Sequence, residues 1–264
     1  MEKDDMRGIY SIPVTPFNED GSLDYKSLKR CIEFCIEMGA HGIVTPVNAS
    51  EGTFINEKER DKIFKLTGEI VNNSVPFVAG VTAVTIHQAV RNALVAVEYG
   101  AESVIAAPPT GSTDNYIFDY FSKIAESAQV PVWIQNNKPP TSPTIRTSTI
   151  IKMLQEIPYV DYVKEESQNP GHVMTEILDS KTQKCRGVMG GMGGRFIIDE
   201  YIRGSCGSMP EGHLTDVHRI LWDALEEGRE NGGKVPSITD NARTIWEAML
   251  PSLNFEFLHS ISAY

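Results

Sequence analysis

Val160-Asp161-Tyr162-Val163-Lys164-Glu165-Glu166 reads as a short apolar strand that ends on a lysine. A primary amine at the end of a buried strand is costly unless chemistry needs it. On either side of this run the same unit repeats: a short apolar run, a break rich in Gly, Pro, Ser or Asn, then an amphipathic stretch. That alternation marks βα units around a parallel sheet. The spacing predicts strands over Ile9–Val14, Gly42–Thr45, Val75–Ala79, Ser103–Ala106, Val132–Gln135, Val160–Lys164, Gly187–Met189 and Ser205–Ser208. Helices are predicted over Tyr25–Met38, Glu57–Val71, Ile86–Tyr99, Asn115–Ser127, Thr147–Leu154, His172–Leu178, Arg195–Ile202 and Thr215–Glu227. Eight such pairs close a (β/α)8 TIM barrel, an α/β fold that carries its reactive groups at the carboxyl ends of its strands. Lys164 falls at such an end.

The barrel is expected over residues 1–227, with a short C-terminal helical extension over 228–264. The extension opens on the loop Gly228–Pro236, continues as a helical pattern from Asp240 to Leu250, and ends in the amphipathic stretch Leu253–Ile261. At 264 residues and 41% hydrophobic, a single domain of this size has enough apolar surface for a large core. The formal net charge of -11, with scattered basic residues, argues against nucleic acid and for a small-molecule partner. No apolar run reaches the length of a membrane span, and the charged opening Met1-Glu2-Lys3-Asp4-Asp5 is unlike a secretory signal. A cytoplasmic protein is expected, with no membrane partner. Cys31 and Cys35 sit one helical turn apart, Cys185 is placed in a strand, and Cys206 lies in a Gly/Ser-rich strand. None has zinc spacing, so reduced thiols and no metal are expected. His213 and His218 are five apart, which is not the spacing of ligands on one helix face. No cofactor is implied.

Held away from water, a lysine is partly the neutral amine that attacks a ketone carbonyl. The protonated imine then draws electrons from the neighbouring carbon, which permits proton loss, carbon–carbon bond making or breaking, or loss of water from a 2-keto acid. The alternative is a lysine that caps the strand with its head in solvent. Glu166 alternates onto the Lys164 face if the strand persists, and is one candidate to carry protons; Ser50 and an ordered water held by Gln135 are the others. Gln135 and Asn136 close the fifth strand and are placed to hydrogen-bond a substrate hydroxyl or hold a water, or else to satisfy loop backbone. Glu51 is read as orienting its loop by accepting backbone N–H bonds. In Gly187-Val188-Met189-Gly190-Gly191-Met192-Gly193-Gly194, Gly190 and Gly191 suit a backbone that contacts substrate at the barrel mouth. A cradle for phosphate or carboxylate is the other reading.

Several segments carry a family likeness. Gly8-Ile9-Tyr10-Ser11-Ile12-Pro13-Val14-Thr15-Pro16-Phe17 followed by Asp20-Gly21-Ser22-Leu23-Asp24, then Ser50-Glu51 followed by Ile55-Asn56-Glu57-Lys58-Glu59-Arg60, resemble the dihydrodipicolinate synthase / N-acetylneuraminate lyase family. Ala79-Gly80-Val81, Ala107-Pro108-Pro109 and Val163-Lys164-Glu165 fit it in the same order. The resemblance implies a barrel with extra C-terminal helices, assembled as a homo-oligomer (dimer or tetramer), doing Schiff-base chemistry on pyruvate or another 2-keto acid. It makes Lys164 the imine lysine. It also gives Asn48, Ala49 and Ser50 the task of holding the keto-acid carboxylate through main-chain donors.

The likeness has departures. The family tyrosine at the end of the fifth strand is replaced in Val132-Trp133-Ile134-Gln135-Asn136-Asn137, and the second tyrosine is absent near Pro109–Gly111. The Thr-Thr pair is Asn48-Ala49-Ser50, and Pro139-Pro140-Thr141-Ser142 stand where an arginine follows the fifth strand. Members continue through further helices after the stretch like Pro251–Glu256, so the chain reads as short for the family. The leading expectation is a class I lyase, an aldolase or dehydratase acting on pyruvate or a sugar-derived 2-keto-3-deoxy acid. Two alternatives stand beside it: dihydrodipicolinate synthase, condensing pyruvate with aspartate semialdehyde, and a catalytically impaired barrel that binds keto acids or serves as a scaffold.

Overall fold

The computed structural model describes residues 6–180, 182, 184–231 and 237–259. Eight parallel strands close into a barrel: β1 Gly8–Ser11, β2 Gly42–Thr45, β3 Phe77–Gly80, β4 Ser103–Ala106, β5 Val132–Asn136, β6 Val160–Glu165, β7 Gly187–Gly190 and β8 Gly207–Ser208. Each pairs with the next in sequence, and β8 pairs with β1. The intervening helices are α1 Tyr25–Glu37, α2 Glu57–Val71, α3 Ile86–Glu98, α4 Asp114–Ala128, α5 Thr147–Glu156, α6 Pro170–Asp179, α7 Ile197–Arg203 and α8 Thr215–Asn231. The fold is the expected TIM barrel.

Helix starts are set by local chemistry. Asn56 and Glu59 form a reciprocal capping box at α2, with bonds of 2.9 and 3.1 Å, and the side chains of Asp24, Thr85 and Thr113 accept the N3 amides of α1, α3 and α4. The apolar stripes of α1 to α6 pack on the outward side chains of the sheet, while α7, α8 and the C-terminal helix form a second cluster with Ile9.

Inward-facing residues fill the barrel in tiers. Tyr10, Trp133 and Tyr162 lie at its centre; Trp133 stacks on Tyr162 with ring centroids 4.3 Å apart and planes at 15°, and Tyr10 tilts against Trp133. This aromatic plug fixes what lies above it. Two residues beyond Trp133 and Tyr162, on the same faces, come Gln135 and Lys164, which pair in register.

Beyond shifts of up to three residues at the ends of several strands and helices, three segments differ from the sequence reading. The helix after the barrel, α9, runs unbroken over Asp240–His259 with Pro251 inside it, where a helix to Leu250 and a separate stretch to Ile261 are predicted; Ile261 lies outside the described residues. The prolyl ring removes one amide donor, but the packing of Ala242, Met249 and Leu253 against the barrel continues on both sides of it. Gly228 belongs to α8 and not to a loop, and residues 232–236 of the predicted loop lie outside the described residues. Cys185 precedes β7 instead of lying in a strand, and all four cysteines are free thiols. No helix among the described residues is long and apolar enough to cross a membrane.

Candidate active site

Lys164 is 3% exposed, so its ammonium does not reach bulk water as a strand cap would. It points into the barrel above Tyr162, and its Nζ lies 3.3 Å from Glu166 Oε2. The strand conformation ends at Glu165, but Glu166 N–H still donates to Asn136 O at 2.7 Å, which keeps the alternation going for one more residue and turns Glu166 to the lysine side. Three further donors fix that carboxylate. Gln135 Nε2 donates to Oε2 at 2.9 Å, Asn137 Nδ2 reaches Oε2 at 3.5 Å, and the backbone N–H of Met192 donates to Oε1 at 3.1 Å. Gln135 thus stands where the family carries tyrosine, and it binds the candidate base.

Of its two expected readings, Asn136 takes the structural one and not the substrate contact. Strand alternation turns it outward, where it is fully buried; Nδ2 donates to Glu165 Oε2 at 2.7 Å and Oδ1 accepts Ile145 N–H at 2.8 Å. The side chain is committed to tying β5 to β6 and to the loop before α5, away from Lys164. Glu165 shares that outer side. Burial pushes its carboxyl up to about 7, against the hydrogen bonds from Ser167 and Asn136 that favour the ionised form.

The two glycines after Val188-Met189 make room for carboxylates. A Cβ on Gly190 would sit 1.8 Å from Glu200 Oε2, and one on Gly191 would sit 2.1 Å from Glu166 Oε1. Their bareness lets two acids approach the backbone, which accounts for the glycine run without a phosphate. Glu200 comes from α7 and is 1% exposed, with Oε2 lacking any hydrogen-bond partner. Burial first, then the charges of Glu166, Asp199 and Glu165, push it up to about 8.

At the end of β2, Asn48–Ser50 form a 3-10 turn, and Ala49 packs on the barrel-interior cluster. The Ser50 hydroxyl is committed within the turn, accepting Val47 N–H at 2.7 Å and facing Val47 O at 3.2 Å. The turn's own bonds use the Ser50 and Glu51 amides, leaving those of Asn48 and Ala49 at its open end. Asn48 Nδ2 is a buried donor without a partner. Glu51 contributes its backbone, closing the turn at φ 54°. Below, the buried Arg60 guanidinium donates to Gly80 O at 2.8 Å and to Gly52 O, anchoring the segment that follows the turn to β3. Burial lowers its pKa to about 10.

A family model for the dihydrodipicolinate synthetase family matches residues 5–191, which include the Lys164 strand, the β2 turn and the start of the glycine run. The chain belongs to that family. Among curated relatives, an L-2-keto-3-deoxyarabonate dehydratase of Azospirillum brasilense is 27% identical over 255 residues, covering 95% of this chain and 79% of that protein. A 4-hydroxy-tetrahydrodipicolinate synthase of Methanococcus vannielii is 30% identical over 176 residues, covering 66% of this chain and 60% of its own length. The solved dihydrodipicolinate synthase of Aquifex aeolicus superposes with a TM-score of 0.85 at 21% identity, over 96% of this chain and 83% of that one, and so supports the fold. Family membership makes the protein an enzyme of lyase type, as the lysine-bearing strand implies. The acids Glu165, Glu200 and Glu211 were not singled out by the sequence reading. Glu200 had a signal, because it shares the buried stripe of α7 with Ile197 and Tyr201.

Proposed function

We propose that the protein is a Schiff-base lyase that dehydrates a sugar-derived 2-keto-3-deoxy acid, with Lys164 forming the imine and Glu166 removing a proton from the adjacent carbon. The buried contact of Lys164 with Glu166 carries this reading. At 3.3 Å the carboxylate is in reach of the Nζ proton, which leaves the neutral amine that attacks the C2 carbonyl. Once the imine stands in place of the amine, the same oxygen faces the C3 hydrogens that the imine acidifies. The open amides of Asn48 and Ala49, with Asn48 Nδ2, take the substrate carboxylate. Gln135 orients Glu166 and transfers no proton itself, since an amide is a poor acid and base.

The dehydratase relative supports the substrate class, and the chain covers more of that protein than of the synthase relatives. Condensation of pyruvate with aspartate semialdehyde is the second reading, favoured by the synthase relatives. Against it, the segment after β5 reads Lys138-Pro139-Pro140-Thr141, with no arginine for a second acid. A homo-oligomer is part of the proposal, supported by Phe54 and Val84, which lie exposed on the segments after β2 and β3.

Borohydride reduction in the presence of pyruvate or 2-keto-3-deoxy acids tests the imine. A mass adduct on the peptide carrying Lys164 is expected, and its loss in Lys164→Ala. Absence of an adduct with every keto acid removes the proposal, while adduct without turnover of any of them favours a barrel that only binds.

A further inference from the structure

Two carboxylates rest on the glycine-rich loop that follows β7. Glu166 lies over Gly191, and Glu211 lies over Gly193, where a Cβ would stand 3.2 Å from Glu211 Oε2. Glu211 enters from two strands further round the barrel. It follows β8, bridges to Ile12 beyond the end of β1, and leads into the short turn Gly212–Leu214, which its side chain does not cap. The charged groups acting on it are Lys164 from β6, Glu166 just after it and Glu256 from α9, the last held 3.0 Å from His213 Nε2.

The two acids are held in opposite ways. Glu166 is gripped by donors: Gln135 Nε2, Asn137 Nδ2 and the Met192 N–H all bond it, and Lys164 Nζ lies 3.3 Å away. For Glu211, burial dominates and raises the carboxyl, Glu166 and Glu256 raise it further, and its own backbone N–H and Lys164 oppose them; the net direction is up. A carboxylate fixed by donors beside the imine nitrogen is placed as the base, and a carboxyl that burial keeps protonated to higher pH suits the acid.

Resting on the Schiff-base reading above, we propose that Glu211 is the general acid of the dehydration, protonating the hydroxyl that leaves C4 while Glu166 serves as base at C3. Lys164 Nζ, its proton taken by Glu166, adds to the C2 carbonyl; Glu166 returns that proton to the carbinolamine hydroxyl, which departs as water and leaves the protonated imine and an ionised Glu166. Glu166 takes a C3 proton, and the C3–H electron pair becomes the C2–C3 double bond of an enamine. That pair then expels the C4 oxygen; the C4–O bond breaks as Glu211 delivers its proton, and the second water leaves behind a conjugated imine. Hydrolysis returns the amine, and one proton passing through solvent from Glu166 to Glu211 resets the pair. No oxidant or reductant enters.

The test is Glu211→Gln in the full-length protein with a 2-keto-3-deoxy acid. The borohydride adduct on Lys164 and deuterium exchange at C3 are expected to stay within about threefold of the unaltered enzyme. Elimination is expected to fall by roughly 10²–10⁴-fold, and its decline on the alkaline side of the pH profile to disappear. The 4-fluoro analogue needs no proton to lose its leaving group, so fluoride release by the variant should approach that of the unaltered enzyme. Glu211→Asp, which keeps a carboxylic acid, should restore part of the elimination even if the glutamine variant misfolds. Unchanged elimination in Glu211→Gln, or exchange and fluoride release falling as far as elimination, overturns the assignment. Lack of any adduct in the unaltered enzyme overturns the Schiff-base reading itself.

Discussion

Lys164 and Glu166 leave the same side of one chain segment two residues apart, and their charged ends meet at 3.3 Å while both remain buried. In this spacing the strand period brings an amine and a carboxylate together with no intervening side chain. Replacing Glu166 by Gln keeps the shape and removes the base. Deuterium exchange into C3 of a bound keto acid should fall by roughly 10²–10⁴-fold, while the reduced adduct on Lys164 should form more slowly but still accumulate. Exchange at the original rate would assign the proton transfer elsewhere.

Gly191 and Gly80 offer a matched pair of substitutions. At Gly191 the atoms that a Cβ would meet, Oε1, Cδ and Cγ at 2.1, 2.5 and 2.7 Å, all belong to the Glu166 side chain. The carboxylate should swing away and lose its bond from Met192, lowering kcat about tenfold or more with a smaller loss of stability than at Gly80. At Gly80 a Cβ would lie 1.8 Å from the backbone oxygen of Pro46, which has no rotamer to yield. Gly80→Ala should destabilise by several kcal/mol in a denaturant titration. Equal stability losses in the two variants would refute the distinction.

Arg60 reaches the segment after the Asn48–Ser50 turn, proposed above to take the substrate carboxylate, only through backbone. Arg60→Met retains much of the apolar stem and leaves the carbonyls of Gly80 and Gly52 without their donors, at a cost of about 1–3 kcal/mol each. Because these bonds anchor the segment just beyond the Asn48–Ser50 turn, KM for the keto acid should rise more than kcat falls. A fall in kcat alone would show that the turn keeps its place without the guanidinium.

The barrel was legible because its strands are apolar runs bounded by turn residues, and strand ends were recovered to within a few positions in most cases. Lys164 and Glu166 were legible by the period of two. That same period separates Gln135 from Asn136: neighbours on a strand face opposite ways, and the aromatic plug beneath Gln135 decides which of them looks inward. Which amide faces the mouth depends on the barrel interior, a tertiary property, so local sequence left both open. The glycine run showed that something approaches the backbone closely, but the approaching groups come from β6, α7 and the segment after β8, and their convergence exists only once the barrel closes. Pro251 gave a misleading break, since packing on both sides of it holds one helix together.

Glu200 provides a pH test of the fold that is separate from catalysis. Its carboxyl moves from an ordinary value of 4.5 to about 8 on burial behind Gly190. Between those limits the folded protein binds more protons than the unfolded chain, so stability falls as pH rises. The neutral form is accommodated fully below about pH 4.5, and the penalty of a buried charge is complete above about pH 8. Glu165, pushed up to about 7, adds to the same slope in the lower part of that window. Glu200→Gln keeps the volume and removes the titration, so urea unfolding midpoints that drop between pH 5 and pH 9 in the original protein should drop much less in the variant. At pH 9 the variant should be the more stable by up to a few kcal/mol, whereas near pH 4.5 the two should nearly coincide. A parallel pair of stability profiles would mean that Glu200 is ionised in the fold at neutral pH, and that the void beside Gly190 holds a charge.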